Sequence, residues 1–286
     1  MGGPQPARVC SGAPPPGAAQ RWAPALSGRG AAPGLSCGDE APSARDKEVN
    51  TLLLRKCKTV ADILALVERE GPARLNTFNQ VTALHRLSKA GLRLGRGGGE
   101  PLVEALVASV AGKIGARPGV FTTRHLVNTA YSLGKMRVTD PRAYAAIATA
   151  CGPRLGEFNA QDVANLSWAY ATAEVSDDAD CLATLRRLPA AAQRELGSFT
   201  SQGLSNTVWA FATMGLRAPE LMAHVAAEGE RRLGEYNAQE LANTVWAYAK
   251  CGAESQEPFL RAIARAALAK LGDFNPQNLT NTAWAF

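Results

Sequence analysis

Four glutamine–asparagine pairs carry the chemistry this sequence offers. Gln161 and Asn165, Gln202 and Asn206, Gln239 and Asn243, and Gln277 and Asn281 each stand four residues apart, a spacing that puts two side chains on one helix face. Stacked in register, such faces make a polar ladder of amide groups able to meet phosphate, ribose or base edges. The same asparagines could instead satisfy backbone groups of an adjacent unit. A residue repeated unchanged in every unit cannot tell one base from another, so discrimination falls to the positions that vary. These are Asp162, Gly203, Glu240 and Asn278, and two residues on Ala164, Ser205, Ala242 and Thr280. Asp162 and Glu240 have a second explanation as first-turn charges favoured by the helix dipole.

Trp168, Trp209, Trp246 and Trp284 recur at one position beside the apolar stripe. Indoles can stack on bases, but at that position they are expected to be core between units, since large aromatics dominate buried area. Covalent chemistry finds no support. His85, His125 and His224 are far apart in sequence, and no Ser/His/Asp or Cys/His arrangement can be built. The run Gly95 to Gly99 lacks the Gly-Lys-Ser/Thr of a phosphate-cradling loop and reads as a linker. Six cysteines are scattered without a C-x-x-C and without histidines at ligand spacing. The expectation is a non-enzyme with free thiols, no metal and no cofactor.

A net charge of +6 invites a nucleic-acid reading, but it is unevenly placed. Residues 1–120 hold 16 Lys+Arg against 9 Asp+Glu, whereas residues 121–286 hold 15 against 16. Composition therefore does not establish a uniformly basic groove; it leaves local clusters such as Arg186–Arg187 and Arg231–Arg232. No apolar run approaches the roughly 18 residues of a membrane helix, so no membrane partner is expected. From Met1 to Gly38 there is no acidic residue, and prolines alternate with Gly, Ala and three arginines. That segment is expected to be disordered, and reads either as an organelle transit peptide or as a plain tail.

The elements that must position the amides are visible as an internal repeat. Blocks starting at Phe121, Phe158, Phe199, Tyr236 and Phe274 are spaced 37, 41, 37 and 38 residues apart. Residues 75–89 look like a sixth, degenerate copy. Asn159, Thr200, Asn237 and Asn275 stand where an N-cap accepts from an exposed backbone N–H. The aromatic before each cap and the aliphatic five residues on (Val163, Leu204, Leu241, Leu279) have the spacing of a hydrophobic staple. Pro276 falls at a first helical position and Glu240 can close a capping box. A first helix of about 13 residues follows, then a turn at Gly215 or Gly252, then a second helix over segments such as Glu220–Leu233 and Pro258–Leu271. The recurrent Leu-Gly at 155–156, 196–197, 233–234 and 271–272 suggests a left-handed glycine stop.

Two amphipathic helices per unit bury their faces only by stacking, so the expected fold is an all-α solenoid. The expected organisation is a disordered segment over 1–50, a helical start over 51–120 and a repeat array over 121–286. The array stops in mid-repeat at Phe286, which reads as truncation, with any domain such as RAP missing.

The pattern aromatic, Asn/Thr, x, Gln, x, Leu, x, Asn-Thr, x, Trp-Ala-Phe/Tyr resembles organellar helical-repeat proteins of the octotricopeptide and heptatricopeptide type. It is similar also to repeats of FAST-kinase-like proteins with RAP domains and of the kinetoplastid RNA-editing substrate-binding complex. The resemblance covers about 121–286. It implies an α-solenoid that binds single-stranded RNA in mitochondria or plastids, acting in processing, stability or translation of transcripts. If the first segment is not a transit peptide, a cytoplasmic location is expected instead. Two alternatives stand beside it: a protein-interaction scaffold of the armadillo or HEAT kind, and the regulatory array of an enzyme whose catalytic domain lies beyond Phe286.

Overall fold

The computed structural model describes residues 41–94, 99–175, 179–252 and 256–286. The segment read as a transit peptide or tail lies outside the described residues up to residue 40, as does most of the glycine run, 95–98. Where description begins, Ser43 and Asp46 close a capping box on α1 (Ala44–Thr51), and Val49 is buried. The domain boundary placed at residue 50 therefore falls inside the first helix. An apolar anchor and a cap order the chain earlier than composition suggested.

After α1 come α2 (Val60–Glu70), α3 (Thr77–Lys89), α4 (Pro101–Ala116), α5 (Thr123–Met136), α6 (Pro141–Cys151) and α7 (Ala160–Ala173). They are followed by α8 (Ala179–Leu185), α9 (Leu188–Arg194), α10 (Ser201–Thr213), α11 (Pro219–Arg231), α12 (Ala238–Lys250), α13 (Glu257–Ala269) and α14 (Pro276–Ala285). No strand occurs among the described residues. The first helices of the units, α3, α5, α7, α10, α12 and α14, pack side by side in one row. The second helices, α4, α6, the α8–α9 pair, α11 and α13, form the other row, and α2 packs against α4 at its start. The fold is an all-α solenoid.

The first-helix row is the more closely packed, so the array bends with that row on its inner side. Small residues allow the approach: Ala169, Ala210 and Ala247 have no exposed surface. A Cβ on Gly134 of α5 would stand 3.2 Å from the Cα of Ala169 on α7. Gly134→Val is expected to destabilise the chain by roughly 1–2 kcal/mol through overpacking, read by urea unfolding. An unchanged midpoint would mean that α5 and α7 can part without loss.

The caps form as the sequence implies. Asn159, Asn237 and Asn275 accept from the backbone N–H three residues on, at 2.9, 2.9 and 2.8 Å, and Thr200 does the same for Gly203 at 3.0 Å. Each contributes about 1 kcal/mol. Asn76 caps α3 identically, so the degenerate copy at 75–89 is a structural unit packed on α5.

The Leu-Gly stops behave differently from expectation. Gly156, Gly197, Gly234 and Gly272 do not take positive φ; they lie in short 3-10 turns. There the aromatic N–H donates back to the leucine carbonyl, as in Tyr236 to Leu233 at 3.2 Å. Such i→i+3 bonds satisfy the last carbonyls while the chain runs straight into the next cap. Positive φ is found instead after first helices, at Gly91, Gly215, Gly252 and the non-glycines Arg137 and Glu174, and after α2 at Gly71.

Candidate nucleic-acid interface

Helices of the inner row are covered on most sides, by row neighbours and by the second helix of their own unit. Across units, Tyr170 donates to the Tyr144 carbonyl at 2.6 Å and Tyr248 to the Met222 carbonyl at 2.7 Å, each binding a first helix to the second helix of the preceding unit. One register stripe can be followed from inner helix to inner helix, accessible at its edges. On α12 it runs Gln239, Asn243, Trp246, Lys250, residues spaced to share a face. On α7 and α10 it runs Gln161, Asn165, Trp168, Thr172 and Gln202, Asn206, Trp209, Thr213, and on α5 it runs Arg124, Asn128, Tyr131, Lys135. On α3 the matching residues are Phe78, Thr82, His85 and Lys89; on α14 they are Gln277, Asn281 and Trp284.

The predicted ladder is thus in register, but its middle is closed. Asn165, Asn206, Asn243 and Asn281 are only 2–7% exposed, held in the seams between neighbouring inner helices. The open amide groove expected from the Gln/Asn pairs is therefore a packed floor, because the close approach of the helices leaves no gap at that level. The glutamines stay accessible: Gln161 is exposed, and Gln202, Gln239 and Gln277 are half-buried. The tryptophans behave as core. Trp168, Trp209 and Trp246 are 3–6% exposed, while Trp284 on α14 is 55% exposed. Neighbouring rings meet along the row, Tyr131 with Trp168 at 5.2 Å and Trp246 with Trp284 at 6.2 Å between centroids.

The variable positions are largely taken up by folding. The side chains of Asp162, Glu240 and Asn278 accept from the backbone N–H of Asn159, Asn237 and Asn275, each closing a capping box, while Gly203 has no side chain to offer. Burial raises the carboxyl pKa of Asp162 and of Glu240 against the lowering effect of these bonds. Ala164 and Ala242 are buried, Ser205 donates across the seam to the Glu240 carbonyl at 3.0 Å, and Thr280 is exposed.

One recurring interaction escaped the sequence reading. A cation near the end of each second helix reaches back to a main-chain carbonyl beside the cap of its own unit. Arg154 donates to Phe121 O at 2.5 Å, Arg194 to Phe158 O at 3.2 Å, Arg232 to Phe199 O at 2.8 Å, and Lys270 to Tyr236 O. Lys113 similarly reaches Leu75 O at 2.7 Å. Arg232, noted above as part of a basic cluster, is thus a latch that ties the end of its unit's second helix to the start of the first, and it also pairs with Glu228 and Glu235. The signal was a basic residue four positions before the aromatic in three of these units (Arg154, Arg232, Lys270).

Latches remove cations from consideration as ligand contacts and sharpen what is left. The inner stripe carries no Asp or Glu in any unit, yet it carries Lys89, Arg124, Lys135 and Lys250. Lys250 lies over the Trp246 ring, 4.8 Å from its centroid. The near-zero charge of 121–286 conceals this segregation, with a stripe free of carboxylates on one side. Among the described residues no group of His, Cys, Asp or Glu could hold a metal ion, and no helix is long and apolar enough to cross a membrane.

A profile of the family described as RNA-editing substrate-binding complex 6 protein matches residues 101–286, well over half of the chain. The chain belongs to this family. The match bears out the likeness to repeats of the RNA-editing substrate-binding complex. No curated protein matches the chain. The RNA-editing substrate-binding complex 6 profile starts at the first residue of α4, so α1 to α3 lie before it, although α3 repeats the capped architecture of the matched units.

His85 holds the tryptophan position on α3, half-buried, with its Nδ1 unpartnered. Burial first, then Lys89, Lys135, Arg86 and Arg124, lower its pKa to about 4. With the folded pKa below that of free imidazole, its contribution to stability is whole above about pH 6.5 and is lost as the pH falls toward 4. The stability difference between the parent chain and His85→Gln should therefore move against the parent on acidification through that window. Thermal unfolding at pH 7 and pH 5 checks this; a pH-independent difference would count against it.

Proposed function

We propose that this chain is a non-catalytic RNA-binding solenoid that works in an RNA-editing or RNA-processing assembly, with single-stranded RNA laid along its inner row. The observation that carries this reading is the inner-row stripe without carboxylates, which bears cations and amides at its accessible edges. Family membership supports it, since the family's description names an RNA-editing substrate-binding complex. That description also supports protein partners and a mitochondrial location. The Asn-Thr-x-Trp-Ala signature shared with octotricopeptide and heptatricopeptide repeats supports the same mode of use. The candidate contacts are Gln161, Gln202, Gln239 and Gln277 with Arg124 at one edge of the floor, and Lys89, Lys135 and Lys250 at the other.

The test is fluorescence-anisotropy titration of the chain with labelled single-stranded RNA at about 50 and 200 mM salt. Micromolar or tighter binding that weakens with salt is expected. Absence of binding at the lower salt would overturn the reading.

A further inference from the structure

Cations are spread through this chain, and many of them are engaged by other groups of the fold. Arg154, Arg194, Arg232, Lys270 and Lys113 are latches, and Arg86 donates to the Cys57 carbonyl at 2.8 Å. Arg45, Arg69, Arg142, Arg231 and Arg261 are in ion pairs. Against that background one group stands out, where α3 and α5 meet at the start of the inner row.

The chain after α3 is tied to the end of α5 by a backbone bond, Leu94 N to Met136 O at 2.8 Å. That bond sets Arg93 beside Lys135, and both act on each other electrostatically. Lys89 lies on the same stripe of α3 as Lys135 does on α5, and its charge reaches both Lys135 and His85. Arg124 stands at the other end of the α5 stripe and also reaches His85. Lys89, Arg93 and Arg124 are exposed and Lys135 is half-buried. None of the four is in an ion pair among the described residues. The one carboxylate near them, Asp162, is within reach of Arg124 but is engaged by its own capping box. Like charges gathered without counter-charge cost stability, and the pKa of Lys135 is lowered, first by burial and then by Arg93 and Lys89.

We infer that Lys89, Arg93, Arg124 and Lys135 form a phosphate-gripping site at the α3–α5 end of the inner row, which anchors the backbone of a bound RNA strand. This rests on the RNA-binding reading and locates its electrostatic part. Beyond this site the α7 and α10 stripes hold Gln161, Thr172, Gln202 and Thr213, neutral groups that can follow a strand but not grip it. Apart from Lys250 on α12, the binding strength is thus concentrated at one end, and the strand has a fixed starting point from which the amide positions are counted. Cations set on phosphates position a strand without reading its sequence, so the site is indifferent to sequence.

The experiment compares the parent full chain with Lys89→Glu/Lys135→Glu and with a control, Arg186→Glu/Arg187→Glu, whose arginines are exposed on the outer row. Labelled single-stranded RNA of mixed sequence is titrated by anisotropy across salt, and circular dichroism follows the fold. The double variant is expected to bind at least about tenfold more weakly, with a salt slope reduced by about 2, since each lost phosphate contact removes about 1. The control keeps parental affinity and slope. If charge reversal disturbs the fold, Lys89→Gln/Lys135→Gln should show the same reduction in slope. A parent that binds RNA alongside a folded double variant of equal affinity and slope overturns the site but leaves the RNA reading standing. A parent that binds no RNA overturns both. A parent that prefers polyglutamate to RNA overturns the site in favour of an acidic protein partner.

Discussion

Replacing Trp209 by alanine should cost the chain about 3–5 kcal/mol, the range for deleting a large aromatic from a packed core. Trp209 is 5% exposed in the middle of the inner row, on a helix packed against both α7 and α12. Each unit is stabilised chiefly by its neighbours, so the damage should show as a lower and broader unfolding transition, with helicity lost first around α10. Urea unfolding followed by circular dichroism measures it. The outcome separates two roles for the indoles. A base-stacking platform would lose RNA affinity on truncation while keeping its stability; a core residue loses stability. Trp284→Ala is the internal comparison: the same repeat position is 55% exposed there, and the cost should stay below about 1 kcal/mol, as for substitutions outside the core.

The second large effect separates two adjacent arginines. Arg232→Met is expected to destabilise by about 1.5–3 kcal/mol, the range for a hydrogen bond from a charged group. It removes the 2.8 Å bond to Phe199 O and leaves Glu228 and Glu235 without their Arg232 partner. Arg231→Met removes only a surface pair with Glu228, from a side chain that is 74% exposed, and should change stability by less than about 0.5 kcal/mol. Thermal unfolding of the two variants side by side decides the matter. Equal midpoints would show that the latch within the unit contributes nothing measurable.

These two cases show what could and could not be read in the chain. Caps, staples and helix lengths were legible because their partners lie within a few residues: Asn237 and Glu240 specify one another locally, and α12 spans 13 residues, about the length expected. The latch was not legible in the same way. Arg232 and Phe199 are 33 residues apart, and in sequence an arginine beside a second arginine looks like surface charge. The amide ladder was legible in register but not in depth. Helical period shows which residues share a face; how far neighbouring helices close over that face depends on small residues such as Ala169 and Ala210 across the seam. The left-handed glycine stop failed for a related reason, since Leu-Gly alone does not distinguish a reversal from a 3-10 turn leading into the next cap. The basic group on α3 and α5 was hidden because Lys89 and Lys135 meet only once α3 packs on α5, and α3 belongs to the most degenerate copy.

The uneven repeat lengths acquire a meaning from where the extra residues go. The unit starting at Phe158 is 41 residues long against 37 or 38 for those starting at Phe121, Phe199 and Tyr236, and its outer helix alone is broken in two, α8 and α9, with Pro189 in the first turn of the second piece. Its inner helix, α7, has 14 residues beside the 14 of α5 and the 13 of α10 and α12. The surplus is absorbed on the convex side. To anything lying across the concave side, the array is an evenly graduated ruler, and insertions in the gene lengthen its spine without moving the marks.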